Sequence, residues 1–299
     1  MRTIRILLPL LLLATLSLST AGVPAQSADG KLRIIVFGAH PDDPEKCGGT
    51  MARFVELGHK VRLVSMTNGN AGHFEIGGAP LAQRSFQEAQ CAGKAIGAEY
   101  VVMDNDDGRL MPTLENREKV IAQIREFQAD IVISPRPDDY HPDHRNTALL
   151  VRDAAYMVTV PNIVASVPHL RRNPVFMYMP DRFTQPTPFV PDIMVAVDDV
   201  IEKKIDMYHC HVSQMYEWLP YNANRLEQVP QGSAERRAWL AESRKPQTAR
   251  QADEHRELLV KLYGAERGNR IRYAEGFAVS EYGSRPSIEE LKKLFPFFN

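Results

Sequence analysis

The sequence has little cysteine and no excess of charge of either sign. Its three cysteines, Cys47, Cys91 and Cys210, are scattered along 299 residues, which does not indicate a disulfide framework. A single bridge is compatible with an oxidising compartment. The 36 Lys and Arg residues nearly balance the 37 Asp and Glu residues, which gives a formal net charge of −1. No basic face is indicated, so nucleic acid is not an expected partner.

A long apolar run occurs near the amino terminus. Arg2 and Arg5 precede the run from Ile6 to Leu18, and small residues follow it as far as Ala25. This order is typical of a secretory signal, and the run is short for a membrane span. We therefore expect residues 1–25 to be a signal peptide and the protein to be exported, either periplasmic or extracellular. No stable membrane anchor is expected after cleavage, and an uncleaved anchor helix is the alternative.

Apolar β-type segments alternate with helical patterns through the first half of the chain. This alternation predicts βαβ units and an α/β fold, a Rossmann-like parallel sheet with helices on both faces. We expect one domain over residues 31–299, with a core at about 31–215 and a helix-rich C-terminal appendage at about 216–299. The predicted strands are Leu32–Phe37, Lys60–Met66, Tyr100–Met103, Ile131–Ser134, Val175–Met179 and Ile193–Val197, and the predicted helices include Leu81–Ile96, Leu114–Phe127, Arg145–Met157 and Val200–His211.

Two clusters of histidine and aspartate each follow a predicted strand. Residues 39–45, AHPDDPE, follow the first strand, and residues 140–144, YHPDH, follow the strand Ile131–Ser134. Ligands of an open α/β sheet bind outside the carboxyl ends of its strands, so we expect the clusters to meet there. The first turn also lacks the glycine fingerprint of a dinucleotide site and places charge where pyrophosphate would lie. A dinucleotide-dependent Rossmann enzyme is therefore excluded.

The residue types suit a catalytic zinc site, which needs three protein ligands and an open position for water. His40 and Asp43 lie three residues apart on one turn, and His144 supplies a third ligand from the other cluster. Ferrous iron (Fe2+) also suits two histidines and a carboxylate, but hydrolysis needs no redox change and favours Zn2+. Cys47 is a further candidate ligand beside the first cluster, with a small buried apolar residue as its other interpretation.

The other polar residues of the clusters supply acid–base groups. Asp42 can take a proton from metal-activated water, whose pKa the ion lowers towards neutrality. His141 can stabilise an oxyanion or protonate a leaving amine, and Asp143 can orient its ring. Asp138 and Asp139 are interpreted as a solvated turn, and either cluster taken alone is also compatible with a simple turn. Together the two clusters predict amide hydrolysis.

The motifs AHPDDPE, followed by CGGT, and HPDHRN resemble the PIG-L/LmbE family of zinc-dependent N-deacetylases. The resemblance extends over residues 33–277 and includes the strings TNGNAG, DGRL, HVSQ and YAEGF. It departs from the family pattern at Pro44, which separates the aspartate pair from Glu45, whereas many members have glutamate directly after the pair. The resemblance implies His40, Asp43 and His144 as metal ligands, Asp42 as general base, and His141 with Asp143 at the oxyanion or leaving group.

The resemblance also implies a substrate and two contacts to it. Arg84 and Asp107 are expected to contact sugar hydroxyls, with an exposed helix charge as the alternative for Arg84. The expected reaction removes the N-acetyl group from an N-acetylglucosamine-type sugar or conjugate, which is a small-molecule or glycan substrate. The alternatives are an amidase for another sugar- or thiol-linked amide and a noncatalytic sugar-binding protein of the same fold.

Overall fold

The computed structural model describes residues 29–298, so the predicted signal peptide lies outside the described residues. Seven strands form the sheet: β1 (Arg33–Gly38), β2 (Lys60–Thr67), β3 (Glu99–Asn105), β4 (Ile131–Ser134), β5 (Val175–Tyr178), β6 (Ile193–Ala196) and β7 (Ala274–Gly283). Their spatial order is β3-β2-β1-β4-β5-β7-β6. The first five strands are parallel to one another, and β7 is antiparallel to both β5 and β6.

The central strands are apolar because helices cover both faces of the sheet. In β1 and β4, Ile and Val side chains are buried in succession, as is usual for parallel strands covered on both faces. The register pairs Gly38 with Ser65 and Val36 with Ile133. The chain therefore leaves β1, β2 and β4 at the same edge of the sheet, where the loops that carry both polar clusters begin.

Ten α-helices accompany the strands in the described part of the chain: α1 (Gly48–Glu56), α2 (Gly78–Ile96), α3 (Leu114–Phe127), α4 (Pro142–Met157), α5 (Ile201–Cys210), α6 (Leu219–Asn222), α7 (Ser233–Glu254), α8 (Arg256–Tyr263), α9 (Ala265–Arg270) and α10 (Ile288–Leu294). A π-helical turn, Ser213–Trp218, precedes α6. Helices α1, α2 and α5 contribute to the apolar core on one face, and α3 and α4 to the core on the other. The α/β fold with a mostly parallel sheet is confirmed.

The C-terminal part of the chain is more integrated than the predicted appendage at residues 216–299. It contains the helices α7 to α9 but also β7, which lies inside the sheet between β5 and β6. The sequence of β7, AEGFAVSEYG, contains glycine and glutamate, which are uncommon in strands, and this hides its β character. Glu275 of β7 is fully buried. The last part of the chain therefore completes the sheet.

Two of the three cysteines form a disulfide bridge, and the third is a free thiol. Cys91 of α2 is bonded to Cys210 at the end of α5, across 119 residues of sequence. Cys47 is free and lies in the apolar core, as its interpretation as a small buried residue predicts. In residues 29–298, no helix has the length and apolarity that crossing a bilayer requires.

Candidate metal centre

The first cluster lies on a tight turn that follows β1. The backbone N–H groups of Asp42 and Asp43 donate to the carbonyl oxygen of His40, at 2.8 and 3.2 Å. A Cβ atom on Gly38 would lie 2.6 Å from the Asp43 Cβ and 2.6 Å from Pro44 Cδ, so this close approach requires glycine. The turn thereby brings Asp43 back over the end of β1.

The second cluster forms the start of α4. His141 is the N-cap residue, and its Nδ1 accepts the backbone N–H of Asp143 at 3.2 Å. Pro142 occupies the first helical position, where its missing N–H costs no hydrogen bond. His144 follows within the first turn and is buried. Helix α4 therefore directs His144 towards the end of β1.

Three donor atoms from the two clusters converge on one point. His144 Nε2 lies 3.2 Å from His40 Nδ1 and 3.2 Å from Asp43 Oδ2, and the latter two atoms are 3.5 Å apart. Ligands at about 2.0–2.1 Å from a tetrahedral zinc lie roughly 3.3 Å from one another. The triangle of donor atoms therefore has the dimensions of one face of such a site, and the structure brings the three predicted ligands together.

The outer ring nitrogens of both histidines face carboxylates. His40 Nε2 lies 3.0 Å from Asp107 Oδ1 and 3.2 Å from Asp143 Oδ2. His144 Nδ1 lies 3.1 Å from Asp139 Oδ1, although it is not aligned for a hydrogen bond. A proton on each outer nitrogen leaves the inner nitrogen with a lone pair, which is the form that binds metals. The residues present therefore fit a divalent cation.

The charges of the centre shift the pKa values of its members. Burial lowers the pKa of His144, but Asp43 and Asp139 outweigh burial and raise that pKa to about 9. Burial raises the pKa of Asp43, but the charges of His144 and Lys46 outweigh it and hold the pKa well below its usual range. Lys46 Nζ donates to Asp43 Oδ1 at 2.9 Å, and two backbone N–H groups donate to Oδ2 at 3.1 and 2.9 Å. Asp43 is therefore held as an oriented carboxylate.

The Asp143 carboxylate contacts His40 rather than His141. It also accepts the backbone N–H groups of Gly108 and Leu110, at 2.7 and 3.2 Å, and so holds the loop after β3 against the centre. Its contact with His141 is made by its backbone N–H. The prediction that the Asp143 carboxylate orients the His141 ring is corrected: it orients His40, because the start of α4 faces the turn after β1.

Asp139 and Asp107 are candidate functional residues whose positions differ from the sequence prediction. The sequence indicates a solvated turn at Asp139, whereas its carboxylate lies beside His144. Asp107, which is expected to contact sugar, faces His40 Nε2, and its contact with sugar stays a prediction. A signal for both exists in the sequence, since each follows a strand of the predicted parallel sheet. The carboxyl ends of those strands meet at one edge, so aspartates there reach the same centre.

His141 and Asp42 lie beside the three predicted ligands. The His141 ring is edge-on to His40, with a centroid distance of 4.6 Å, and its centroid is 5.2 Å from that of His144. Burial and the positive charges of these two histidines lower the pKa of His141, which favours its neutral form. Burial and the charge of Asp43 raise the pKa of Asp42, against the opposing effect of nearby histidines. The charges of the centre therefore act on both the expected acid, His141, and the expected base, Asp42.

Arg84 of α2 belongs to an ion-pair network. Its guanidinium donates two hydrogen bonds of 2.7 Å to Glu217, and its Nε donates to Glu88 Oε1 at 3.2 Å. His73 Nε2 lies 3.0 Å from the same Glu217 carboxylate. Arg84 is therefore not a freely solvated helix charge, and its contact with sugar stays a prediction.

A buried ion pair lies behind the first cluster and was not expected from the sequence. His211 Nε2 lies 2.7 Å from Glu45 Oε1, and both side chains are fully buried. Burial lowers the pKa of His211, but Glu45 outweighs it and raises that pKa. The Tyr100 hydroxyl donates to Glu45 Oε2 at 3.4 Å. These contacts fix the turn that carries the aspartate pair to the segment that follows α5. The HVSQ string lies in that segment and was the sequence feature that pointed to it.

The fold and this centre define an α/β protein with a candidate metal site at the carboxyl edge of its parallel strands. Residues 35–155 match the family model described as PIG-L: GlcNAc-PI de-N-acetylase. The matched region includes both polar clusters. This match over residues 35–155 confirms the resemblance that the two motifs indicate.

Solved structures with a similar fold include two deacetylases and a hydratase. The N,N'-diacetylchitobiose deacetylase from Pyrococcus horikoshii has a TM-score of 0.63 at 20% identity, over 83% of each chain. The A40926 pseudoaglycone deacetylase Dbv21 has a TM-score of 0.56 at 16% identity, over 85% of this chain and 100% of its own. The 4-carboxy-2-hydroxymuconate hydratase GalB from Pseudomonas putida KT2440 has a TM-score of 0.64 at 18% identity, over 86% and 99%. These similarities establish the fold, which by itself does not select the reaction.

Proposed function

We propose that this protein is a metal-dependent N-deacetylase that hydrolyses the acetamide of an N-acetylglucosamine-type sugar or conjugate. The observation that carries the proposal is the triangle of His40, Asp43 and His144 donor atoms, with sides of 3.2 to 3.5 Å. The PIG-L family domain supports deacetylation as the reaction. A small-molecule or glycan substrate is supported by the deacetylases of similar fold, whose names refer to N,N'-diacetylchitobiose and to the A40926 pseudoaglycone.

His40, Asp43 and His144 would hold the metal, which we propose to be Zn2+, with Fe2+ as the alternative. When bound, such an ion supplies a Lewis acid for the amide carbonyl and lowers the pKa of water. The carboxylates behind the two imidazoles keep each outer nitrogen protonated and each inner nitrogen free. Elemental analysis of anaerobically purified protein distinguishes the two metals.

Asp42 and His141 carry the proton transfers of the proposed reaction. Asp42 accepts a proton from the attacking water, as a general base at hydrogen-bond distance does. His141 accepts the Asp143 backbone N–H on Nδ1, so its neutral form carries its own proton on Nε2. That proton can stabilise the developing oxyanion and pass to the amine as the C–N bond breaks. The products are acetate and the free amino sugar.

The test is acetate release by metal-replete protein and by its Asp42→Ala variant. We expect a loss of about 10²- to 10⁴-fold in kcat, because a general base is removed. Bound metal should be retained, since Asp42 contributes no atom to the donor triangle. His144→Ala is the contrasting variant, in which metal and activity should be lost together. Full acetate release by Asp42→Ala would disprove the assigned mechanism.

A substrate screen decides between the proposed reaction and its alternatives. The panel contains N-acetylated sugars in free, glycosidic and polymeric form, together with other sugar- and thiol-linked amides. Turnover confined to the latter group would select the alternative amidase. Sugar binding without turnover in metal-replete protein would select a noncatalytic binding protein. An unsaturated carboxylic acid belongs in the panel because the hydratase GalB shares the fold.

We further propose that the protein is exported to the periplasm or the extracellular space. The proposal is supported by the basic residues Arg2 and Arg5 before an apolar run, and by the Cys91–Cys210 bridge, which an oxidising compartment favours. When the protein without residues 1–25 is fused to a reporter, the fusion is expected to stay in the cytosol. Export of that shortened fusion would contradict the proposal.

A further inference from the structure

An ion-pair network joins helix α2, the loop after β2 and the π-helical turn that precedes α6. Glu217 of that turn accepts both terminal nitrogens of Arg84, each at 2.7 Å. Glu88 accepts Nε of the same guanidinium at 3.2 Å. The side chains of Arg84 and Glu217 are 29% and 28% exposed, so a ligand can reach both. The proposed chemistry assigns no role to Glu217.

The loop after β2 connects this network to the metal centre. A Cβ atom on Gly72 of that loop would lie 2.9 Å from Asp107 Oδ2, and Asp107 Oδ1 lies 3.0 Å from His40 Nε2. Gln214 of the π-helical turn donates to the Gly72 carbonyl oxygen at 2.8 Å. The network begins at the next residue of the loop, so it borders the metal centre on this side.

The network carries an excess of negative charge. His73 Nε2 lies 3.0 Å from Glu217 Oε2, while its Nδ1 accepts two backbone N–H groups of its own loop, at 3.1 and 3.2 Å. A ring nitrogen that accepts has no proton, so His73 is neutral. Burial raises the pKa of Glu217, but Arg84 and His73 outweigh burial and lower that pKa. One cation, Arg84, therefore faces two carboxylates, those of Glu217 and Glu88.

This arrangement suits a hydroxyl group better than an anion. Each terminal nitrogen of Arg84 has a second N–H beyond the one that Glu217 accepts. A sugar hydroxyl can accept such an N–H without any change of charge. A phosphate placed there would face the carboxylates of Glu217 and Glu88, and such a contact between like charges is unfavourable. The positive charge that would attract the phosphate is already paired.

We propose that Glu217 is a specificity residue, which pairs with Arg84 so that the site accepts neutral N-acetylated sugars and rejects sugars that carry a phosphate. The proposal rests on the deacetylase function proposed above. Specificity of this kind requires an unfavourable contact with the wrong ligand as well as a favourable one with the right ligand. The carboxylate of Glu217 supplies the unfavourable contact.

The experiment compares N-acetylglucosamine with its 1-phosphate and its 6-phosphate as substrates. The wild type is expected to have the higher kcat/KM for the neutral sugar. In Glu217→Gln, the kcat/KM of at least one phosphorylated sugar, relative to that of the neutral sugar, should rise about 10- to 100-fold, the usual worth of one hydrogen bond to a charged group. A merely structural role would lower both values alike and leave their ratio unchanged. Glu217→Asp keeps the charge and should keep the preference for the neutral sugar.

Two further variants show whether the effect passes through Arg84. Adding Arg84→Gln to Glu217→Gln should remove the gain on the phosphorylated sugar, because no cation then remains to bind it. Glu75→Gln is the matched control, since it removes a carboxylate from an exposed position of the loop after β2. Its ratio should equal that of the wild type. An equal shift in Glu75→Gln would show that general charge sets the preference, and would overturn the proposal.

Other outcomes also overturn the proposal. They are a wild-type preference for a phosphorylated sugar, an unchanged ratio in Glu217→Gln, and a gain that persists without Arg84. If no sugar releases acetate, the deacetylase function fails, and calorimetric binding of the same sugars to metal-replete protein tests Glu217 separately. Tighter binding of a phosphorylated sugar to Glu217→Gln than to the wild type then supports its role, and equal or absent binding contradicts it.

Discussion

The carboxylate of Asp139 contacts both histidines of the second cluster. Its Oδ1 lies 3.1 Å from His144 Nδ1 and accepts the backbone N–H of His141 at 3.0 Å. Carboxylates behind metal-binding histidines fix the tautomer and the ring orientation and raise the basicity of the donor nitrogen. Asp139 is therefore a positioning residue of the candidate centre, although it contributes no donor atom.

This role predicts a loss of metal affinity in Asp139→Asn. We expect zinc to bind about 10- to 100-fold more weakly, because an amide supports the His144 tautomer less strongly than a carboxylate does. Competition with a chromophoric chelator measures the dissociation constant without any assay of activity.

The neighbouring residue supplies the control for Asp139→Asn. Asp138→Asn removes the same charge one position earlier, from an exposed side chain. Its zinc affinity should equal that of the wild type. Equal weakening in both variants would show that general charge, rather than the contact with His144, sets the affinity.

At the scale of elements, β7 supplies the cap of α1. The N-cap residue Cys47 makes no side-chain hydrogen bond, but Glu275 of β7 accepts the backbone N–H groups of Gly49 and Thr50, at 3.0 and 2.8 Å. Lys204 Nζ donates to the same carboxylate at 2.6 Å. A carboxylate at a helix N-terminus satisfies free N–H groups and interacts favourably with the helix dipole. The C-terminal strand thereby fixes the helix that follows the first cluster.

The amino ends of the strands are joined by a buried aspartate. Asp130, directly before β4, exchanges two hydrogen bonds with Arg33 of β1: its Oδ2 accepts the Arg33 N–H, and its own N–H donates to the Arg33 carbonyl, both at 2.8 Å. Burial raises the pKa of the Asp130 carboxyl to about 6. The carboxylate form is therefore less favourable in the folded chain than in the unfolded chain.

This pKa predicts how stability depends on pH. The folded pKa of about 6 exceeds an unfolded value of about 4, so Asp130 makes the protein less stable as the pH rises between them. Asp130→Asn should therefore be more stable than the wild type at pH 8, by about 1–3 kcal/mol, since each unit of pKa shift corresponds to about 1.4 kcal/mol. The two should be equal near pH 4.

Urea unfolding of the wild type and Asp130→Asn at a series of pH values gives this difference directly. Comparison at each pH cancels any loss of metal that both proteins share. Asp153→Asn, an exposed change on α4, is the control for removal of a carboxyl elsewhere. A gap between wild type and Asp130→Asn that stays constant from pH 4 to pH 8 would contradict the assigned cause.

For the whole molecule, local patterns predicted the first six strands and the meeting of the two clusters. The helix Leu114–Phe127 and the strand Ile131–Ser134 occur with the predicted bounds, because each has a clear apolar period and a defined end. The convergence of His40 and His144 followed from the shared carboxyl edge of parallel strands. These inferences needed only sequence periodicity and topology.

The remaining features depend on contacts between distant loops. Which of several aspartates faces His40 or His144 depends on loop conformation, which no periodicity describes. The strand β7 is stabilised by its two neighbours, β5 and β6, rather than by its own composition. Likewise, Glu45 and His211 pair across 166 residues. Such pairs become visible only when the whole chain is folded.

The disulfide bridge joins parts of the molecule that lie far apart in sequence. It connects α2 to the end of α5 across 119 residues, directly before His211. The segment that follows is also held by Ser213, whose N–H and hydroxyl donate to Glu88 at 2.9 and 2.6 Å. The bridge therefore anchors the segment whose His211 contacts the first cluster.

Removal of this bridge should destabilise the whole domain. We expect the free energy of unfolding of the double variant Cys91→Ser/Cys210→Ser to be about 2–4 kcal/mol lower than that of the wild type, because a closed loop of this length restricts the unfolded chain. A reductant should lower the stability of the wild type towards that of the variant and leave the variant unchanged. Thiol titration of denatured, unreduced protein should find the single thiol of Cys47. Three titratable thiols in exported protein would show instead that the bridge does not form, and the segment after α5 would then depend on its hydrogen bonds alone.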